Sequence, residues 1–245
     1  MGDVAHSGIW DRFDFKAACL FTGYGNRKVP LYSELERVGL CDVKPMWQFP
    51  TPMDSILMRQ ITGRMAQHRG TFNSGMGHYR VIKTAYELGC GNCLVVEDDV
   101  RFLKDLNLLS DIVNDLPEDY DIALFDLFKS QKMPMTEVMH YINDCKASKY
   151  WRRFRNMRSF ACYAMSRKAM GRFIRLFESA FAKKGSKLRV VDQYLRADRI
   201  GWDMKTYHAY PNAAIQVPMG IANSGSGYQI PFYKSIGVDP ECYAI

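Results

Sequence analysis

The segment CLVVEDDV at 93–100 most narrows what this chain can fold into. Cys93, Leu94, Val95 and Val96 show no polar alternation, the pattern of a strand covered on both faces. They run into Glu97, Asp98 and Asp99, consecutive carboxylates that a buried strand does not tolerate in its middle, so they mark its exit. Upstream, Met76, Tyr79, Ile82 and Tyr86 recur at three- and four-residue intervals, with Val81 widening the stripe, before Gly89. That spacing predicts a helix over 74–89 with a glycine stop. A helix feeding a buried strand is the start of an α/β fold, and the carboxyl end of such a strand is where open α/β sheets place ligands.

The rest of the chain alternates in the same way. AACLFTG at 17–23 reads as a strand stopped by glycine, LYSELERVG at 31–39 as a short helix, and 43–49 as a further strand. MDSILMRQITGRMAQ at 53–67 has a helical period interrupted by Gly63. DLNLLSDIVNDLP at 105–117 predicts a helix ended by proline, and DIALFDLF at 121–128 a strand. Later, SFACYAMS (159–166) reads as a strand, RKAMGRFIRLFESAF (167–181) as a helix, VVDQYLRADRIG (190–201) as a helix opening, and MKTYHAYP (204–211) and AAIQVP (213–218) as short extended segments. The irregular stretch 129–158 is too short for a domain, so it is expected to be an insertion or active-site loop of one domain spanning 1–245.

Composition bounds the classes. No apolar run approaches the roughly 18 to 20 residues of a bilayer span, and MGDVAHSGIWDRFDFK reaches three acids before any apolar block, unlike a secretory leader. Seven cysteines are too few for a disulfide scaffold, and CGNC at 90–93 lacks the second pair of a structural zinc site. A soluble, cytoplasmic protein is expected, with work at the inner face of a membrane left open. The balance of 33 Lys and Arg against 26 Asp and Glu gives +7, which fits a phosphorylated ligand or an acidic glycan.

Glu97 and Asp99, one residue apart, can project to the same side of an extended exit and hold Mg²⁺ or Mn²⁺, an ion that neutralises a leaving diphosphate. Asp98 then points elsewhere, to orient a ribose, an acceptor or a basic side chain. Solvated or helix-capping acids are the competing reading. KASKYWRRFRNMR at 146–158 holds six Lys or Arg and no acid. Its Lys149, Trp151, Arg152, Arg153 and Arg155 suit a loop that meets phosphate or acceptor, while a solvated loop or a nucleic-acid surface uses the same residues.

Three separated segments, SGMGHYRVIKTAYELGCGNCLVVEDDV, FACYAMSRKAMGRFI and VVDQYL, together resemble family 25 glycosyltransferases, the lipopolysaccharide-biosynthesis and collagen galactosyltransferase group. There, a helix opened by a Ser-His-like element leads through a glycine turn to a strand ending in Glu-Asp-Asp. This chain has Gly77-His78 in place of Ser-His, and FTGYGNR in place of the usual Ile-Asn-Leu pattern of the first strand. The resemblance implies a glycosyltransferase A-type fold with a mostly parallel central sheet, a UDP-sugar donor and Mn²⁺ or Mg²⁺ as cofactor. It implies a metal role for Glu97 and Asp99, and inverting transfer with Asp192 as the base that deprotonates the acceptor hydroxyl. Capping of the helix that follows is the rival role for Asp192.

The same resemblance implies a donor pocket formed by Phe21, Thr22, Gly23 and Arg27, with Asp98 on the donor and His78 either bonding the donor or orienting the acidic loop, against packing of His78 beside Tyr79. His208 is a further metal candidate, against packing beside Tyr207 and Tyr210. The expected activity is therefore transfer of a hexose, galactose or glucose, from a nucleotide sugar to a hydroxyl of a glycan or lipid-linked glycan acceptor. The alternatives are a nucleic-acid-base glycosyltransferase and an inactive module that binds nucleotide or glycan.

Overall fold

In a computed structural model of the chain, residues 8–21, 28–48, 69–127, 133–153, 161–182, 194, 197–216 and 229–243 are described. The described strands are β1 (Phe15–Phe21), β2 (Lys44–Gln48), β3 (Asn92–Glu97), β4 (Val100–Phe102), β5 (Ile122–Leu124), β6 (Trp151–Arg153), β7 (Cys162–Ser166), β8 (Thr206–Ala209) and β9 (Ala214–Gln216). The helices are α1 (Lys28–Arg37), α2 (Arg69–Glu87), α3 (Leu106–Asn114), α4 (Met135–Asp144), α5 (Arg167–Ala182), α6 (Ala197–Ile200) and α7 (Gln229–Ser235). None of the described helices is long and apolar enough to cross a membrane.

Seven of the described strands form one sheet in the order β2-β1-β3-β7-β5-β8-β6. β1 pairs in parallel with β2 and β3, and β5 with β8. β7 is antiparallel to both of its neighbours, and β6 is antiparallel to β8. The mostly parallel sheet of a glycosyltransferase A-type fold is thus corrected to an α/β fold with a mixed sheet. The reason is local: β7 enters between β3 and β5 in the reverse direction, and strand direction leaves no mark on apolar alternation.

Alternating side chains divide the core between the two faces of the sheet. Leu94 and Val96 of β3, Ala18 and Leu20 of β1, and Ala123 of β5 join Trp10, Phe13, Phe102 and Phe125 on one face. Cys93 and Val95 join Ala17, Cys19, Leu124 and Tyr163 on the other, under Val81, Ile82 and Ala85 of α2 and Met170, Phe173 and Phe177 of α5. β3 is therefore covered on both sides, which accounts for its continuous apolar run. Gly39 and Gly89 follow α1 and α2 with φ of 75° and 82°, the left-handed conformation that glycine adopts most readily at a helix end. The middle region is more regular than its sequence suggests, since α4 and the edge strand β6 lie within it.

Candidate active site

β1 and β3 run side by side and in the same direction, yet the connection after β1 leads to β2 on its outer flank while the chain after β3 continues to the far half of the sheet. The carboxyl ends of β1 and β3 thus border a switch in strand order, the place where α/β folds open a crevice for ligands. Glu97 closes β3 there, opposite Cys19 of β1.

The acidic turn is held from both ends. After Asp99 the chain enters β4 at once, and buried Glu34 of α1 accepts a hydrogen bond from the Phe102 N–H at 2.7 Å. Arg37 binds both Glu34 oxygens at 2.9 and 2.7 Å and donates to the Phe102 and Leu103 carbonyls, so α1 fixes the exit of the turn. Arg101 is buried beside it and lies within electrostatic reach of Glu34 and Asp99; burial lowers its pKa against the pull of those two carboxylates.

Within the turn, Asp98 and Asp99 are buried and Glu97 is partly open. β9 lies antiparallel to β4 with Gln216 opposite Val100, and this pairing delivers the Gln216 amide to the acids. Its Nε2 donates to Glu97 Oε2 at 3.3 Å and lies 3.2 and 3.1 Å from the two Asp99 oxygens. Two carboxylates from one turn therefore converge on a single nitrogen.

The other Glu97 oxygen is held from α2. His78 is wholly buried, its Nε2 is 2.9 Å from Glu97 Oε1, and its Nδ1 is 3.0 Å from the Tyr163 hydroxyl. Burial lowers the His78 pKa to about 3, and burial foremost raises that of Tyr163 well above its ordinary value. Both are neutral at physiological pH, which sets the direction of the bonds: Tyr163 O–H donates to Nδ1, and Nε2–H donates to Glu97. The Cys19 sulfur is 4.0 Å from the same Nδ1; burial, reinforced by the Glu97 and Asp98 charges, keeps it a thiol.

Asp126 follows β5 and is also buried. Tyr233 lies within electrostatic reach of both Asp126 and Asp99, and burial with those charges raises its pKa. His208 sits on β8 in register with Leu124 of β5 and Arg152 of β6. β8 is three strands from β3, about 14 Å at ordinary strand spacing, so the structure does not bring His208 to Glu97. Burial lowers its pKa to about 3, opposed by the main chain of Asp126. Among the described residues, no three His, Cys, Asp or Glu side chains form a cluster able to hold a metal ion.

The remaining expected residues divide. Phe21 ends β1 at the same edge, whereas Thr22, Gly23, Arg27, Arg155 and Asp192 lie outside the described residues. Trp151 is buried in the core, with its indole N–H donating to the Ile112 carbonyl at 2.8 Å. Arg152 is also buried, and its guanidinium donates to the carbonyls of Ile142 at 2.6 Å and Lys149 at 3.2 Å. Lys149 and Arg153 are exposed near that edge of the sheet. Gln216, which completes the acidic site, carries no motif of its own, whereas Tyr163 lies within the FACYAMSRKAMGRFI segment.

No family model matches the chain, and no curated protein matches it. Among solved structures, it is similar to a mannose-1-phosphate geranyltransferase from Thermus thermophilus. Identity is 12%, coverage is 80% of this chain and 73% of that one, and the TM-score is 0.35. A likeness so remote says nothing of what this chain binds.

Proposed function

We propose that the chain is a glycosyltransferase that moves a hexose from a nucleotide sugar to a hydroxyl of a glycan acceptor. The observation that carries this reading is the convergence of Glu97 and Asp99 on one nitrogen at the carboxyl end of β3. Neutral Gln216 sits where two anionic side chains face a common point, and an all-oxygen pair of this kind suits a hard divalent cation. Glu97 and Asp99 would hold Mn²⁺ or Mg²⁺, which when bound supplies counter-charge to a diphosphate leaving group. The motif resemblance to family 25 glycosyltransferases supports the same assignment.

The chain's own residues then have separate tasks. His78, oriented by Tyr163, anchors one oxygen of Glu97 and leaves the other turned toward Asp99. Gln216 donates to the carboxylates until a ligand competes for them. Thr22, Gly23 and Arg27 follow β1, whose carboxyl end borders the acidic turn, and the donor is assigned to them with Phe21. The acceptor proton is assigned to Asp192 by the motif match, with Asp126 or one of the central acids as its rival.

A mass-spectrometric screen of UDP-galactose, UDP-glucose and other nucleotide sugars, with mixed glycan and nucleic-acid acceptors, tests the proposal. Cation-dependent consumption of one donor with a mass gain of one hexose on a glycan supports it. Gain on nucleic acid instead would reassign the acceptor, and stoichiometric donor binding without turnover on any acceptor would overturn the catalytic reading.

A further inference from the structure

A cavity of opposite charge lies between α5 and the turn that follows α6. Arg172, Arg175 and Leu176 line it from α5, Arg199 and Ile200 from the end of α6, and Gly201 from the turn, around about 400 Å³. Three of these side chains are guanidinium groups and none is acidic. Like charges gathered around a concavity repel one another and concentrate counter-anions there.

The position of Arg172 is built in rather than incidental. Its Nη1 donates to the Ile200 carbonyl at 2.9 Å and to Asp203 Oδ1 at 2.6 Å. Gly201 has φ +118°, and a Cβ there would lie 2.0 Å from Arg172 Nη1 and 2.5 Å from Asp203 Oδ1. A residue without a side chain, in a conformation that favours glycine, is what lets the guanidinium lie across the turn. Asp203 also lies 3.6 Å from Lys168, which itself lies 3.1 Å from Asp121. Arg175 and Arg199 are exposed at the cavity.

We infer that this cavity is a binding site for a phosphate ester. The planar guanidinium fork matches phosphate oxygens two at a time, and the volume accommodates a phosphate with an attached ring. The site is separate from the acidic turn. α5 begins with the Arg167 N–H bonded to the Gly91 carbonyl, just before β3, and Gly201 leads into the amino end of β8. The cavity thus belongs to the edge of the sheet opposite Glu97 and Asp99. The inference stands independently of the glycosyltransferase reading.

Calorimetric titration with inorganic phosphate and glucose 1-phosphate, in EDTA to suppress cation-assisted binding elsewhere, tests it. Flotation with phosphatidylglycerol vesicles against phosphatidylcholine vesicles forms the second arm. The unsubstituted chain is expected to bind a soluble probe or the anionic vesicles, and the Arg175→Gln/Arg199→Gln variant to bind roughly tenfold more weakly or less, the loss of one or more charge-assisted hydrogen bonds. The Arg175→Lys/Arg199→Lys variant should recover part of the affinity. Binding of soluble probes assigns a soluble ester, and binding of vesicles alone assigns a lipid headgroup. No binding in either arm, or equal binding by the glutamine variant with unchanged circular dichroism, would overturn the inference.

Discussion

A buried neutral imidazole carries its proton on one nitrogen, and at His78 the neighbours choose which. Tyr163 donates to Nδ1, so the proton is left on Nε2 to hold Glu97. Tyr163→Phe should therefore leave a buried acceptor unsatisfied and cost about 1–3 kcal/mol, read as a lower urea midpoint. An unchanged midpoint would remove Tyr163 from the network. Gly201→Ala places a methyl against Arg172 and Asp203 at a positive φ, and about 1–3 kcal/mol of destabilisation is expected in the same assay. Glu97 and Asp99 are legible in the sequence because acids interrupt an apolar strand. Gln216 is not, because its contact reaches across 117 to 119 residues through pairing of two three-residue strands, too short to show a period.

Elements with strong punctuation are the most legible. Asp105 caps α3, accepting from the Asn107 and Leu108 N–H groups at 3.0 Å each, where the sequence shows an aspartate ahead of an apolar stripe. Asp105→Ala should cost about 1 kcal/mol in thermal or urea unfolding, and no change would mean that packing alone defines the helix start. α4 is hard to see in the sequence because Pro134 precedes it without a side-chain cap and its buried stripe is only Val138 and Ile142. β6 is hidden inside a basic run: Trp151 is buried in the core, Arg152 is buried by satisfying carbonyls, and only Arg153 is exposed. The strands themselves are readable, but their directions are not. SFACYAMS has the same apolar character whichever way it lies between β3 and β5, so its antiparallel pairing with both leaves no trace in the sequence.

Among the described residues, His78 and His208 are buried in neutral form, each with a pKa lowered to about 3. In the unfolded chain they titrate near the ordinary value of about 6.5. Below that pH the unfolded state takes up protons that the folded state refuses, so stability is full above about pH 6.5 and falls as pH drops toward about 3, by up to about 1.4 kcal/mol per pH unit for each group. Urea midpoints should be lower at pH 5 than at pH 7.5; equal or higher midpoints at pH 5 would contradict neutral burial of the pair. The molecule also sets carboxylates at one edge of its sheet and an arginine-lined cavity toward the other. A Mn²⁺ titration in the presence of UDP probes the carboxylate edge, comparing the unsubstituted chain with Glu97→Gln, Asp99→Asn and His78→Phe. Saturable binding abolished by either acid substitution and weakened about 10- to 100-fold by His78→Phe, with folding retained, is the predicted result. Binding of equal strength in all four proteins would contradict the account.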